Sequence, residues 1–273
     1  MKAFTVTAPD GLSIAAQEWG NPGGTEILLI HGFNQCHLSW ARQVNDPDLA
    51  REFRMVTLDL RGHGLSDKPL DPEAYAHDRR WADDVKGVIE AAALKRPVLV
   101  GWSYGGRIIT DYVRTHGTGK VAGINFVAAV TKTDPKLHGT GGRFFANMGS
   151  ENLQENIEAL RGFAHACFEK QPRAEEFETI LAYNMLMPIP VRAMARNRTA
   201  NPGDMLPRLD VPVLVTHGDR DVLVLLAMGE MTASNVKGAK LSVYEGVGHA
   251  PFWEDAPRFN RELSDFARAA NRR

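Results

Sequence analysis

A chain of 273 residues, 44% hydrophobic and 24% charged, has enough apolar material for one large globular domain or for one domain carrying an insertion. Its 32 Lys and Arg balance 33 Asp and Glu, for a formal net charge of −1 without any long basic block. That balance removes the electrostatic basis for a nucleic-acid or anionic-membrane partner and leaves a soluble protein with a small-molecule partner as the expectation.

In chain order, "MKAFTVTAPDGLSIAAQEW" alternates apolar and polar residues about Asp10-Gly11. This is the pattern of a β-hairpin, and it lacks the unbroken apolar core of a signal peptide or membrane span. After the loop "NPGG", the apolar run Ile27 to Ile30 predicts a buried strand, and "MVTLDL" from Met55 a second. Ala82, Val85, Ile89 and Ala92 then recur at helical steps. Further strands are predicted at "PVLVGW" from Pro97, "GINFVAAV" from Gly123, "VPVLVTHG" from Val211 and "AKLSVYE" from Ala239. Phe259, Leu263, Phe266 and Ala270 mark a closing helix. Strand and helix alternate, which predicts an α/β fold with a mostly parallel central sheet and right-handed crossovers.

Residues 132–208 break the alternation. They show helical stretches, "ENLQENIEALRGFAHACF" and "AEEFETILAYNML", punctuated by "GTGG", Pro172, "MPIP" and "NPGD", and no strong strand signal. The expected organisation is a core from 1–131 and 209–273 with a helical insertion, 132–208, at the carboxyl edge of the sheet where ligands bind in open α/β folds. Such an insertion acts as a cap or only covers apolar surface. Phe144, Phe145, Phe163, Phe168, Met185, Leu186 and Met187 either line a pocket there or, more in keeping with their spacing, form the cap's own core. Cys36 and Cys167 stand far apart and outside any Cys/His metal spacing. The expectation is a reduced, cytoplasmic protein with no metal or cofactor, a disulfide between them being left open.

The stretch "LVGWSYGGRII" places Ser103 between glycines, directly after a predicted strand and at the start of a predicted helix. A capping serine explains the position, but the surrounding glycines suit a second reading. Without side chains at Gly101 and Gly105, a tight turn can hold Ser103 at a strained backbone position with its hydroxyl exposed. The helix amino terminus also favours developing negative charge.

A serine nucleophile needs a base, and the base an orienting acid. Of 9 histidines, His249 in "YEGVGHAPFWED" follows the last predicted strand and suits the role. His217, His31 and His63 read better as local support. Asp221, at the end of "HGDRD", is the first choice of acid, with Asp219 and Asp134 as competitors. Among the tryptophans, Trp102 and Trp40 are candidates to border the site, while Trp81 and Trp253 read as packing residues.

"HGF" at His31 to Phe33, "DLRGHGLSD" from Asp59, "GWSYGG" from Gly101, "HGDRD" from His217 and "GHAPFWEDAPRFNRELSDF" from Gly248 together resemble the α/β-hydrolase superfamily over nearly the whole chain outside the insertion. The stretch "HGFNQCHLSWARQ" further resembles the cofactor-free haloperoxidase and carboxylesterase branch, with Asn34 standing where that branch often has proline. The resemblance implies Ser103 as nucleophile, Asp221 as acid, His249 as base, and an oxyanion hole from the backbone N–H groups of Phe33 and Tyr104. It implies cleavage of small carboxylic esters, with C–C hydrolysis, lactone opening, perhydrolysis and a purely binding role as alternatives. In the C–C reading a substrate carboxylate is expected at a cap arginine such as Arg192 or Arg196.

Overall fold

In the computed structural model, which describes residues 1–198 and 202–272, the apolar runs of the sequence lie in one eight-stranded sheet. The hairpin β1 (Lys2–Thr7) and β2 (Ser13–Gly20) turns about Asp10-Gly11. It is followed by β3 (Thr25–Ile30), β4 (Phe53–Leu58), β5 (Val98–Trp102), β6 (Gly123–Val127), β7 (Val213–Gly218) and β8 (Lys240–Tyr244). The spatial order is β1-β2-β4-β3-β5-β6-β7-β8, antiparallel across β1, β2 and β4 and parallel from β4 to β8. Every residue of β5, β6 and β7 is buried, which is why these strands read as mainly apolar runs; the buried Thr216 hydroxyl is satisfied by donating to Asn125 Oδ1 at 3.1 Å. The order reverses at β3, whose neighbours are β4 on one side and β5 on the other. The carboxyl ends of β3 and β5 therefore form a switch point, where open sheets leave a crevice.

Two strands end sooner than their apolar runs. After Leu58 the chain leaves β4 because the Asp59 carboxylate turns to accept hydrogen bonds from the backbone N–H groups of His37 (2.7 Å) and Leu65 (2.9 Å). "GINFVAAV" stops at Val127 because Ala128 takes a φ of 43°, outside any strand conformation. The helix Asp78–Ala91 buries Ala82, Val85, Val88 and Ile89 and packs on the helix Tyr104–His116. The last helix, Ala256–Ala270, buries Phe259, Leu263, Ala267 and Ala270, while Phe266 packs only partly buried at the edge of the core.

Between β6 and β7 the described residues form no strand. The principal helices there are Leu153–Ala166, Ala174–Asn184 and Ile189–Arg196. Leu160, Phe163, Ala164, Ile180, Met187 and Val191 supply the apolar contacts of this segment, whereas Met185 and Leu186 are exposed. Cys36 and Cys167 are both buried free thiols.

Candidate active site

Ser103 sits between β5 and the helix Tyr104–His116 with φ 54° and ψ −114°, and its side chain makes no capping hydrogen bond. The helix therefore does not use it as a cap. The turn is forced by sterics. A Cβ at Gly101 would lie 2.7 Å from the Gly105 carbonyl oxygen, and one at Gly105 would lie 2.5 Å from that of Ile30. A side chain at Gly101 would push the helix off β5, and one at Gly105 would push it off β3. The strained serine is held on both sides by backbone bonds, from its own N–H to the Val127 carbonyl and from the Val130 N–H to its carbonyl, both 2.9 Å.

His249 follows β8 in a loop and is buried, with its Nδ1 2.6 Å from Asp221 Oδ2. Asp221, in the loop after β7, uses its other oxygen to accept from the N–H groups of Leu223 (2.8 Å) and Val224 (2.9 Å). Burial alone would raise this carboxyl's pKa, but the facing His249 imidazole and the hydrogen bonds from His217 and His249 outweigh it and hold the group well below the usual carboxylate range. With a buried, ionised carboxylate beyond it, Nδ1 of His249 is fixed as the protonated nitrogen. That leaves Nε2 as the basic one.

The competing residues are engaged elsewhere. Asp219 accepts from the Gly246 N–H at 2.7 Å and Asp134 from that of Lys136 at 3.0 Å, so each supports its own turn. His217 is the exception: its Nε2 pairs with the Val224 carbonyl at 2.8 Å and lies 3.3 Å from Asp221 Oδ2, so it braces the acid, but it is not among the residues lining the cavity over Ser103. His31 accepts the Leu60 N–H at 3.0 Å, and His63 pairs with the Arg61 carbonyl at 2.9 Å. Burial pushes these two imidazoles down to about 4 and about 3, which keeps them neutral braces under the loop after β3.

A cavity of about 470 Å³ opens over this constellation, with Ser103, His249, Phe33 and Tyr104 among its lining residues. No hydrogen bond within the protein uses the N–H of Phe33 or of Tyr104 among the described residues. Both amides belong to residues on the cavity wall beside Ser103, and Gly32 approaches the serine closely enough that a Cβ there would lie 3.2 Å from that of Ser103. Phe145 and Phe163 line the same cavity, so these two of the segment's aromatics face the site while Phe144 and Phe168 pack. Trp102 borders His249 and donates from Nε1 to its carbonyl at 2.8 Å. Trp40 does not border the site. It is fully buried against Phe252 and Phe259, because the short turn His37–Trp40 directs it under the sheet.

The polar links between the core and the segment after β6 went unread in the sequence. Asn34, next to Phe33, takes a φ of 61°, a conformation closed to proline. Its amide donates to the Asn184 carbonyl (2.9 Å) and side chain (2.8 Å), and its Oδ1 accepts from Arg192 Nε at 3.1 Å. Arg192 also donates to the Met148 carbonyl and to Asn156 Oδ1, both at 3.0 Å. It is 3% exposed and committed to these acceptors, so it is a structural link and not the substrate-binding arginine anticipated from sequence. On the other side of Ser103, the Tyr104 hydroxyl donates to the Ala195 carbonyl (2.7 Å) and accepts from Arg198 (3.0 Å), itself paired with Asp78 and Asp111. The available signal was an arginine on the buried face of a helix, since Arg192 lies beside Val191 and Ala195 in Ile189–Arg196. Arg192→Met is expected to lower the thermal midpoint by several degrees, because it strands two buried acceptors, Asn34 Oδ1 and Asn156 Oδ1, at about 1–3 kcal/mol each, while the Met148 carbonyl keeps the Asn156 amide as donor. An unchanged midpoint in calorimetry would contradict this.

Cys36, His37 and Asp59 lie close enough together to hold a metal ion. Their chemistry favours a hydrogen-bonded knot instead. Burial pushes the Cys36 thiol well above its ordinary value, and the Asp59 oxygens already accept from two backbone N–H groups and His37 Nδ1.

A family model described as alpha/beta hydrolase fold matches residues 26–256. Among solved structures, a putative aryl esterase from Burkholderia cenocepacia superposes with a TM-score of 0.96 at 38% identity, covering 100% of both chains. The non-heme chloroperoxidase CPO-A1 of Kitasatospora aureofaciens is 28% identical over 95% of this chain and 98% of its own. The bifunctional esterase/perhydrolase DCH of Acinetobacter calcoaceticus is 28% identical over 97% of this chain and 99% of its own.

Proposed function

The chain belongs to the α/β-hydrolase fold family, and from that premise we propose that it is a serine hydrolase of small carboxylic esters. The observation that carries the reading is the shared cavity of Ser103 and His249, with Asp221 Oδ2 2.6 Å behind the imidazole. In the proposed reaction His249 Nε2 takes the Ser103 proton as Oγ attacks the ester carbonyl. The N–H groups of Phe33 and Tyr104 receive the negative charge that develops on the carbonyl oxygen. His249 returns the proton to the departing alcohol, and water, activated by the same imidazole, releases the acid from the acyl-serine. No metal or cofactor takes part in these steps. Residues 132–208 act as a cap that bounds the acyl and alcohol space through Phe145 and Phe163.

The test is turnover on a panel of p-nitrophenyl esters of increasing acyl length. Short chains are expected to be cleaved readily and long ones to be limited by access past the cap. Failure on every ester, by a folded protein whose Ser103 also resists a fluorophosphonate probe, would refute the reading. Because an acyl-serine is open to any small nucleophile, hydrogen peroxide should intercept it and give weak peracid formation from acetate esters. Peracid formation that survives Ser103→Ala would separate the two activities.

A further inference from the structure

The polar lining of the cavity is unbalanced in charge. Lys132, Arg196 and Arg107 line it together with a single carboxylate, Asp134. Elsewhere in the molecule arginines commonly meet a carboxylate: Arg61 has Asp84 at 2.7 Å, Arg54 has Glu18 at 2.7 Å and Arg42 has Glu176 at 3.0 Å. Neither Lys132 nor Arg196 has a carboxylate within ion-pair distance among the described residues. Lys132 is half-buried, two residues beyond Val130, whose N–H is bonded to the Ser103 carbonyl. Its backbone is therefore fixed beside the nucleophile turn. Arg196 is an exposed residue of the cavity wall, with its guanidinium 4.3 Å from the centre of the Phe145 ring and a hydrogen bond to the Phe145 carbonyl at 3.4 Å. These contacts orient it without neutralising it.

Cations in a concave, partly apolar site act through a lower dielectric than at an open surface and concentrate anions there. We propose that the preferred substrate carries a free carboxylate in addition to its ester, held by Lys132 and Arg196, an inference that rests on the hydrolase reading above. The guanidinium suits a planar carboxylate, and the ammonium on its flexible stem supplies a second contact. Two sources of that carboxylate fit: the acyl side, as in a half-ester of a dicarboxylic acid, or the alcohol side, as in an acylated hydroxy acid.

The experiment compares matched pairs in a pH-stat: monoethyl glutarate against ethyl valerate for the acyl side, and 4-acetoxybenzoate against its methyl ester for the alcohol side. Rates are normalised to each ester's hydroxide-catalysed hydrolysis. In at least one pair the charged member is expected to show about a tenfold or greater advantage in kcat/KM. Lys132→Met and Arg196→Met should each shrink that ratio, and Lys132→Glu should invert it. Equal turnover of both members in both pairs overturns the inference and leaves the hydrolase reading intact. The inference also falls if the variants leave the ratio unchanged and only weaken inhibition by the product acid. Hydrolysis of none of the four esters, nor of short p-nitrophenyl esters, by a folded protein whose Ser103 also resists the fluorophosphonate probe, removes the hydrolase reading itself.

Discussion

Ser103→Ala is expected to cut ester turnover by about six orders of magnitude in kcat while leaving the protein folded. The two halves of this expectation have separate physical origins. The alanine removes the group that forms the acyl intermediate in the proposed mechanism, and the hydroxyl of the adjacent Tyr104 is already bonded to the Ala195 carbonyl and Arg198. What survives is the modest acceleration that an oxyanion hole and a bound water supply. Stability should change little, because Oγ makes no capping hydrogen bond and the turn is set by the close approaches at Gly101 and Gly105. A shift of about 1–2 °C in the thermal midpoint is the expected scale. A fluorophosphonate should add its mass to Ser103 in the parent and to nothing in the variant. If the folded variant keeps as much as a tenth of the parental rate, the nucleophile is another residue.

Much of the scaffold was legible because it depends on local periodicity. Strands buried on both faces are mostly apolar, so β5, β6 and β7 announce themselves even though Asn125, Thr216 and His217 interrupt two of them. The turn at Ser103 is legible for a related reason, since close backbone approach demands glycines at fixed spacing from a strand end. The helical stretches of 132–208 are legible in the same way, and the described residues there hold the helices Leu153–Ala166, Ala174–Asn184 and Ile189–Arg196.

Hydrogen-bonded links between distant parts of the chain left no such trace. Asn34 meets Asn184 and Arg192 across more than a hundred residues of sequence, and nothing in the spacing of either neighbourhood specifies the other. The facing of a loop side chain is equally unmarked. Trp40 and Trp102 were equivalent candidates in sequence, yet one is packed on Phe252 and Phe259 and the other bonds the His249 carbonyl. The excess charge of the cavity is a property of what Lys132 and Arg196 do not meet among the described residues, and it appears only once the fold has brought them to one wall.

Asp221→Asn carries the second large effect, and its cause can be followed atom by atom. In the parent, Oδ1 accepts from the N–H groups of Leu223 and Val224, so that position must remain an oxygen. The amide of an asparagine therefore has to place its NH2 where Oδ2 now faces His249 Nδ1 at 2.6 Å. A donor there requires Nδ1 to be the unprotonated nitrogen, which moves the ring proton to Nε2. In the proposed mechanism Nε2 must accept the Ser103 proton, and in this tautomer it has no free lone pair. The stabilisation of the imidazolium formed in the reaction is lost at the same time. A fall in kcat on the order of 10⁴-fold is expected, with little change in KM, since Asp221 is buried and is not among the residues lining the cavity. Asp219→Asn should be nearly silent in kcat, because Asp219 supports the Gly246 turn. Asp134→Asn separates the alternatives most sharply, since Asp134 lines the cavity but bonds the Lys136 N–H and not His249. Should Asp134→Asn be the change that collapses kcat while Asp221→Asn is tolerated, the orienting acid lies after β6, and the pairing seen behind His249 serves only the fold.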